Sequence, residues 1–377
     1  MVNYCLPLID NYSYSSNMLD KMYSQISKIF LDISIDKLIK IEQKSIAIEP
    51  YRIDKYLSVD SYIDKYYDLF SEFYNTNFCS KKIVNEIVTG VVEIKYYSFR
   101  YKTNKINLYF YIDHRVDFSM DDILVKLTKC FILMEYCKIK DIVKNIYYYP
   151  SKFKKELKLG FRLEPENINS GFTTFFSKSA NIYIFREEDS DKVFLHELIH
   201  SLKLDFALNY DENLENYILE NTIVSSNINL SESYTDFYAI IFNILVDSLY
   251  TRMDYSNILA TELLWQKKVV FHIVRHLEIN SIYDIFLKKT ENSKVFSQET
   301  SVFSYYIIKL ILFSNMEFFL KNYPIKEKQL WKTNKQWDFY NDILSSIDYV
   351  ETIPLISFKR DKYSVRMVYN KLKINKC

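Results

Sequence analysis

The sequence predicts an α+β fold: a small mixed sheet in the first half and a mainly helical C-terminal half. Two patterns carry this reading. Short runs rich in β-branched and aromatic residues fall between 88 and 186, and from Val193 onward apolar residues recur every third or fourth position. A third observation concerns linkers. The chain has 3 Gly and 6 Pro among 377 residues, so no flexible connection between units is visible.

The elements follow in order. Residues 1–85 are expected to form a helical N-terminal extension, because 16–32 and 54–74 space their apolar residues at three and four. Residues 86–377 are expected to form the main domain, with a sheet-containing part at 86–210 and a helical part at 211–377. Stretches 91–97 and 106–112 read as a strand pair joined by a polar turn. Ser119 is a plausible N-cap, with Asp121 and Asp122 in the first turn of a helix that ends near Cys137. A third strand at 142–149 is stopped by Pro150. Residues 160–178 look irregular, and 180–186 is a short strand. The acidic run 187–191 suits the positive end of a helix dipole. Further helices are expected near 213–222, 231–250, 257–278 and 300–321, with strand or irregular structure at 349–370.

Composition excludes several classes. Lys plus Arg is 49 and Asp plus Glu is 48, a net charge of +1, which gives no signature for a nucleic-acid or anionic-membrane partner. The short basic run Ser151-Lys152-Phe153-Lys154-Lys155 reads as a solvated face. Five scattered cysteines fit a reducing compartment. The first residues lack a signal-peptide pattern, so an intracellular location is expected. No stretch has the roughly 18 apolar residues of a membrane span. The best candidate, 302–320, carries Lys309, Asn315 and Glu317 and reads as a buried helix.

The chemistry lies in Val193-Phe194-Leu195-His196-Glu197-Leu198-Ile199-His200. Residues four apart share one face of a helix, so His196 and His200 can reach one tetrahedral zinc ion. Glu197, beside the first ligand, can take a proton from metal-bound water. The intervening positions are apolar, so the motif sits in a helix that should be largely buried, where unpartnered polar groups are costly. A third ligand is available in Leu230-Ser231-Glu232-Ser233-Tyr234-Thr235-Asp236, the start of a second helix capped by Asn229 or Ser231. Glu232 completes a two-His, one-carboxylate set. Asp236, four residues on, can accept the second ring N–H of a zinc-bound histidine.

His-Glu-x-x-His followed on a later helix by Glu-x-x-x-Asp resembles the gluzincin group of zinc metallopeptidases, of which thermolysin is the familiar member. The match covers 181–240. The metzincin pattern fits less well: Lys203 stands in its Gly place, Phe206 in its ligand place, and Asp205 is one residue off. The flanking pattern is also similar to uncharacterised proteins of large DNA viruses. An AT-rich genome is consistent with 34 Tyr, 27 Phe and few Gly.

The gluzincin resemblance implies a zincin-like catalytic domain that hydrolyses protein or peptide substrates through a zinc-bound water and Glu197. It also implies that the strand before the zinc helix is an edge strand that pairs with substrate, through Asn181 and Tyr183; an inner strand is the open alternative. Such enzymes need an oxyanion donor, for which His272, His276 and Tyr305 are candidates, while His114 has no special role. The alternative function is a catalytically silent protein that keeps the fold for binding or virion structure.

Overall fold

The computed structural model describes residues 16–33, 38–49, 66–113, 119–156, 163–174, 180–290, 293–326 and 332–350. Among them are thirteen α-helices and one six-stranded mixed sheet. His114 and most of 349–370 lie outside the described residues.

Helix α1 (Asn17–Asp32) opens on Ser16, whose side chain accepts from the Leu19 N–H, and it buries Leu19, Met22 and Ile26. Strand β1 (Ile39–Ala47) follows, then helices α2 (Tyr67–Asn75) and α3 (Lys81–Gly90). This corrects the expectation of a helical 1–85: a strand lies within it, and 54–65 of the helix expected at 54–74 lies outside the described residues. β1 pairs antiparallel with strand β2 (Val91–Tyr101), and α1 shares the main core, so this stretch is woven into the body of the protein. β1 escaped the period-2 pattern because nearly all its side chains are exposed, which leaves no apolar face to read.

β2 and strand β3 (Asn104–Asp113) form the expected hairpin. Helix α4 (Met120–Tyr136), capped by Ser119, crosses to strand β4 (Val143–Tyr148), which runs parallel to β3. After the short helix α5 (Pro165–Ile168) come strands β5 (Gly171–Thr173) and β6 (Ile182–Ile184). The sheet order is β1-β2-β3-β4-β6-β5, so β6 is an inner strand, parallel to β4 and antiparallel to β5. This corrects the edge-strand expectation: among the described residues the terminal strand is β5, in a stretch that read as irregular.

Each face of the sheet has its own core. Phe99, Leu108, Ile146 and Ile184 point to the larger one, shared with α1, α4 and the later helices. Ile94, Tyr111, Phe172 and Tyr183 point to the other, covered by α2 and α3. On this second face an aromatic ladder crosses the strands. Tyr109 stacks on Tyr147 at 4.5 Å between centroids, Tyr147 on Tyr183 at 4.7 Å, and Tyr183 on Phe172 at 4.8 Å.

The second half is helical, as expected. Helices α6 (Ser190–Leu202), α7 (Glu212–Asn221), α8 (Leu230–Thr251), α9 (Tyr255–His276) and α10 (Ile282–Ile285) come first. The single helix expected at 300–321 is broken. A π-helical turn at Phe303–Ile308 leads into α11 (Lys309–Ser314), and the path then bends by 96° into α12 (Met316–Asn322). Helix α13 (Thr333–Ser345) ends the described part apart from one short turn. No single described helix is long and apolar enough to cross a membrane.

Candidate metal centre

Helix α6 carries the motif through the core, and its residues from Lys192 to Leu202 are all buried. It ends where Lys203 takes the left-handed conformation, φ 58°, and the Leu204 N–H bonds back to the Ile199 carbonyl at 3.1 Å. That reversal turns Asp205 toward the preceding helical turn, where it meets the Nδ1 of His200. Helix α8 packs against α6. Its N-cap Asn229 accepts from the Ser231 N–H at 3.1 Å, which places Glu232 in the first turn.

Three ligand atoms converge. The Nε2 atoms of His196 and His200 are 3.0 Å apart, and Glu232 Oε2 lies 3.1 Å from each. Around a tetrahedral ion with bonds of about 2.0–2.1 Å, ligand atoms stand about 3.3 Å apart. The observed triangle needs to open by only a few tenths of an ångström. His196, His200 and Glu232 thus form a group that can hold a metal ion.

Both histidines are oriented from behind. The Nδ1 of His196 meets Asp236 at 3.0 Å, and the Nδ1 of His200 meets Asp205. A carboxylate on Nδ1 holds the proton there and leaves the Nε2 lone pair for a metal. Asp205 in turn accepts from the Thr235 hydroxyl at 2.9 Å. Asp236 is fully buried and binds two buried lysines, Lys192 and, at 2.7 Å, Lys309. Burial alone would raise Asp236, but the two ammonium groups hold it well below the usual carboxylate range.

The metal-free electrostatics follow the same logic. Burial would raise Glu232, yet His200 and His196 hold it far below its ordinary value. Burial would lower His200, yet Glu232 and Asp205 hold it well above its ordinary value. In the absence of an ion, the carboxylates and a proton on the imidazole stabilise one another.

Glu197 is placed by the edge of the sheet. The Thr173 hydroxyl donates to its carboxylate at 2.8 Å. Burial raises Glu197, outweighing the pull of His196 and His200. Close approach of β5 to α6 requires Gly171: a Cβ there would meet the Tyr183 carbonyl oxygen at 2.8 Å and Glu197 Cγ at 3.2 Å.

Among the three oxyanion candidates, Tyr305 alone borders the cavity shared by His196 and Glu197. Its ring centroid is 5.9 Å from that of His196, and burial, followed by the negative charges of Glu232, Glu197 and Asp236, raises its hydroxyl. It sits in the π-helical turn, an irregularity that often marks functional positions. His272 and His276 lie on α9 and do not line this cavity. His272 is pushed down to about 4 by burial, then by Lys268 and Arg275.

Asn181 and Tyr183 are taken up by the sheet rather than offered to a substrate. The Asn145 amide donates to Asn181 at 3.1 Å, within a ladder that continues from Asn107 to Asn145 at 2.9 Å. The Tyr183 ring is sandwiched between Tyr147 and Phe172. Sequence reasoning missed Asp205 as a partner of His200, Thr173, Gly171, and the lysine pair on Asp236. Asp205 carried a signal, since it follows the second histidine by five residues, but only the left-handed turn at Lys203 makes it useful.

Fold and site together define an α+β protein in which two buried histidines and the half-buried Glu232 form a group able to hold a metal ion, backed by two carboxylates. The chain is similar to uncharacterized protein R210 of Acanthamoeba polyphaga mimivirus, with 25% identity over 261 residues, covering 64% of this chain and 64% of the relative. The relative comes from a virus, as the flanking pattern had suggested. No family model matches the chain, and no solved structure does.

Proposed function

We propose that the chain is a zinc-dependent peptidase with a zincin-like arrangement of sheet edge, zinc helix and ligand helix. The observation that carries this reading is the placement of Glu197 next to a converged His196-His200-Glu232 triangle, with its carboxylate held by Thr173. A two-His, one-carboxylate set also suits other divalent metals, but an acid directly after the first histidine favours hydrolysis.

Zinc bound at the triangle would supply a Lewis acid and a water acidic enough to ionise near neutral pH. The protein's own groups do the rest. Glu197 accepts a proton from the attacking water and passes it to the leaving amine. Tyr305, with its hydroxyl kept protonated by burial, donates a hydrogen bond to the oxyanion. Asp236 and Asp205 keep the Nε2 atoms aimed inward. Substrate backbone adds to the outer edge of β5, which ends the sheet among the described residues and borders the cavity at Gly171.

The test is Glu197→Gln. Zinc content by elemental analysis should match wild type, while cleavage of a mixed peptide library, read by mass spectrometry, should fall by a factor of at least about 10². Undiminished cleavage in that variant removes Glu197 from the mechanism. Zinc-loaded wild type that cleaves nothing in the library favours the silent binding protein instead.

A further inference from the structure

The basic run at 151–155 contains a residue that does not behave as a solvated lysine. Lys155 is fully buried, and with Ser170 and Lys192 it lines the cavity that His196, Glu197 and Tyr305 also border. We propose that this cavity is an anion-recognising subsite of the same centre, in which Lys155 and Ser170 bind a substrate carboxylate beside the bond under attack. The inference rests on the peptidase reading and adds a substrate class to it: peptides with a free C-terminus or an acidic side chain next to the cleaved bond.

Four observations carry it. The Lys155 ammonium faces Asp189 at 3.3 Å as an ion pair but makes no hydrogen bond among the described residues. The buried Ser170 hydroxyl, on the same cavity wall, makes none either. A buried cation and a buried hydroxyl without hydrogen bonds are costly, and an entering carboxylate satisfies both. Asp189 does not fully offset the cost of burying Lys155: burial pushes it down to about 8, and Lys192 and Arg186 add to the fall, against the pull of Asp189 and Glu188.

The third observation is size. The open volume is ≈ 20 Å³, room for about one water molecule, so an anion's oxygen fits and an aromatic ring does not. The fourth is charge. Glu197 is the one acid in the lining among the described residues, and it is occupied by the Thr173 hydroxyl. Lys192 is already held by Asp236, so Lys155 is the lysine of the lining that an entering anion can hydrogen-bond.

The experiment reads binding, not turnover, so it is independent of whether the chain cleaves peptides. Three thiol probes are titrated calorimetrically into the zinc-loaded chain: mercaptoacetyl-alanine, its amide, and mercaptoacetyl-aspartate with an amidated C-terminus. At least one acid should bind about 10- to 100-fold more tightly than the neutral amide, the range for a hydrogen-bonded charge. Which acid gains shows whether the carboxylate is terminal or in a side chain. Lys155→Gln should erase the difference while keeping zinc content, and Lys155→Arg should restore part of it. Equal binding of all three probes to wild type overturns the proposal, as does a preference that survives Lys155→Gln. Should Lys155→Gln fail to fold, the wild-type comparison decides alone. Cleavage without acid preference would sink the subsite and leave the peptidase; acid preference without cleavage would do the reverse.

Discussion

Replacing Gly171 by alanine tests how closely the sheet must approach the helix that carries His196 and His200. The added Cβ would lie 2.8 Å from the Tyr183 carbonyl oxygen, 3.0 Å from Val193 Cγ1 and 3.2 Å from Glu197 Cγ. Carbon atoms prefer separations of about 3.5–4.0 Å, so the Val193 contact alone asks for about 0.5 Å of movement. The Tyr183 oxygen is backbone in an inner strand paired on both sides, so it cannot turn aside. Either β5 retreats from α6 or Glu197 is pushed from its place beside Thr173. Overpacking of this kind costs about 1–3 kcal/mol, a fall of a few degrees in melting temperature. A 1 Å error in placing a catalytic group costs roughly 10² in rate, so half of that should cost about tenfold in kcat. The assay combines a thermal melt, zinc per chain and kcat on a peptide that wild type cleaves. Expected are a lower melting temperature, unchanged zinc and reduced kcat. A variant with wild-type melting and wild-type kcat refutes the claim that contact between β5 and α6 positions Glu197.

Other outcomes follow from the same geometry. Asp236→Asn should weaken zinc binding by about 10- to 100-fold in chelator competition, and it should destabilise the chain by about 3–5 kcal/mol, because buried Lys192 and Lys309 lose their anion. Tyr305→Phe should lower kcat by about 10²–10³ with zinc content retained, since both imidazole ligands and the Glu232 carboxylate remain in place. The pH response is fixed in sign. His200 is raised in the metal-free chain, so its contribution to stability is complete below the unfolded value of about 6.5 and is lost as pH rises through the folded value. Proton and metal compete for the same Nε2, so zinc affinity should rise with pH through that window and binding should release a proton. Calorimetry in buffers of different ionisation enthalpy measures this; a pH-independent affinity with no proton release contradicts it.

The ligand set was legible because helical spacing is local. His196 and His200 four apart, and Glu232 four before Asp236, announce shared faces before any tertiary contact is known. Ser119 as the cap of α4 was legible for the same reason. What failed depended on partners distant in sequence. β5 has three residues, too few for any pattern, and exists because Gly171 to Thr173 pair with Ile184 to Ile182. That pairing moved the sheet edge from Asn181 and Tyr183 to Gly171, and it brought Thr173 to Glu197. Lys155 read as a solvated charge because neighbours in sequence cannot show that Asp189 faces it in the interior. The helix expected at 300–321 has continuous apolar spacing, which shows neither the π-helical turn that holds Tyr305 beside the cavity nor the bend after Ser314.

The central claim is that two imidazoles and one carboxylate share a single divalent ion. Anomalous diffraction from crystals of the zinc-loaded chain, collected on both sides of the zinc absorption edge, tests it directly. The account predicts one strong difference peak within about 2.0–2.2 Å of His196 Nε2, His200 Nε2 and a Glu232 oxygen. A peak elsewhere, or none between these three atoms at saturating zinc, would contradict it.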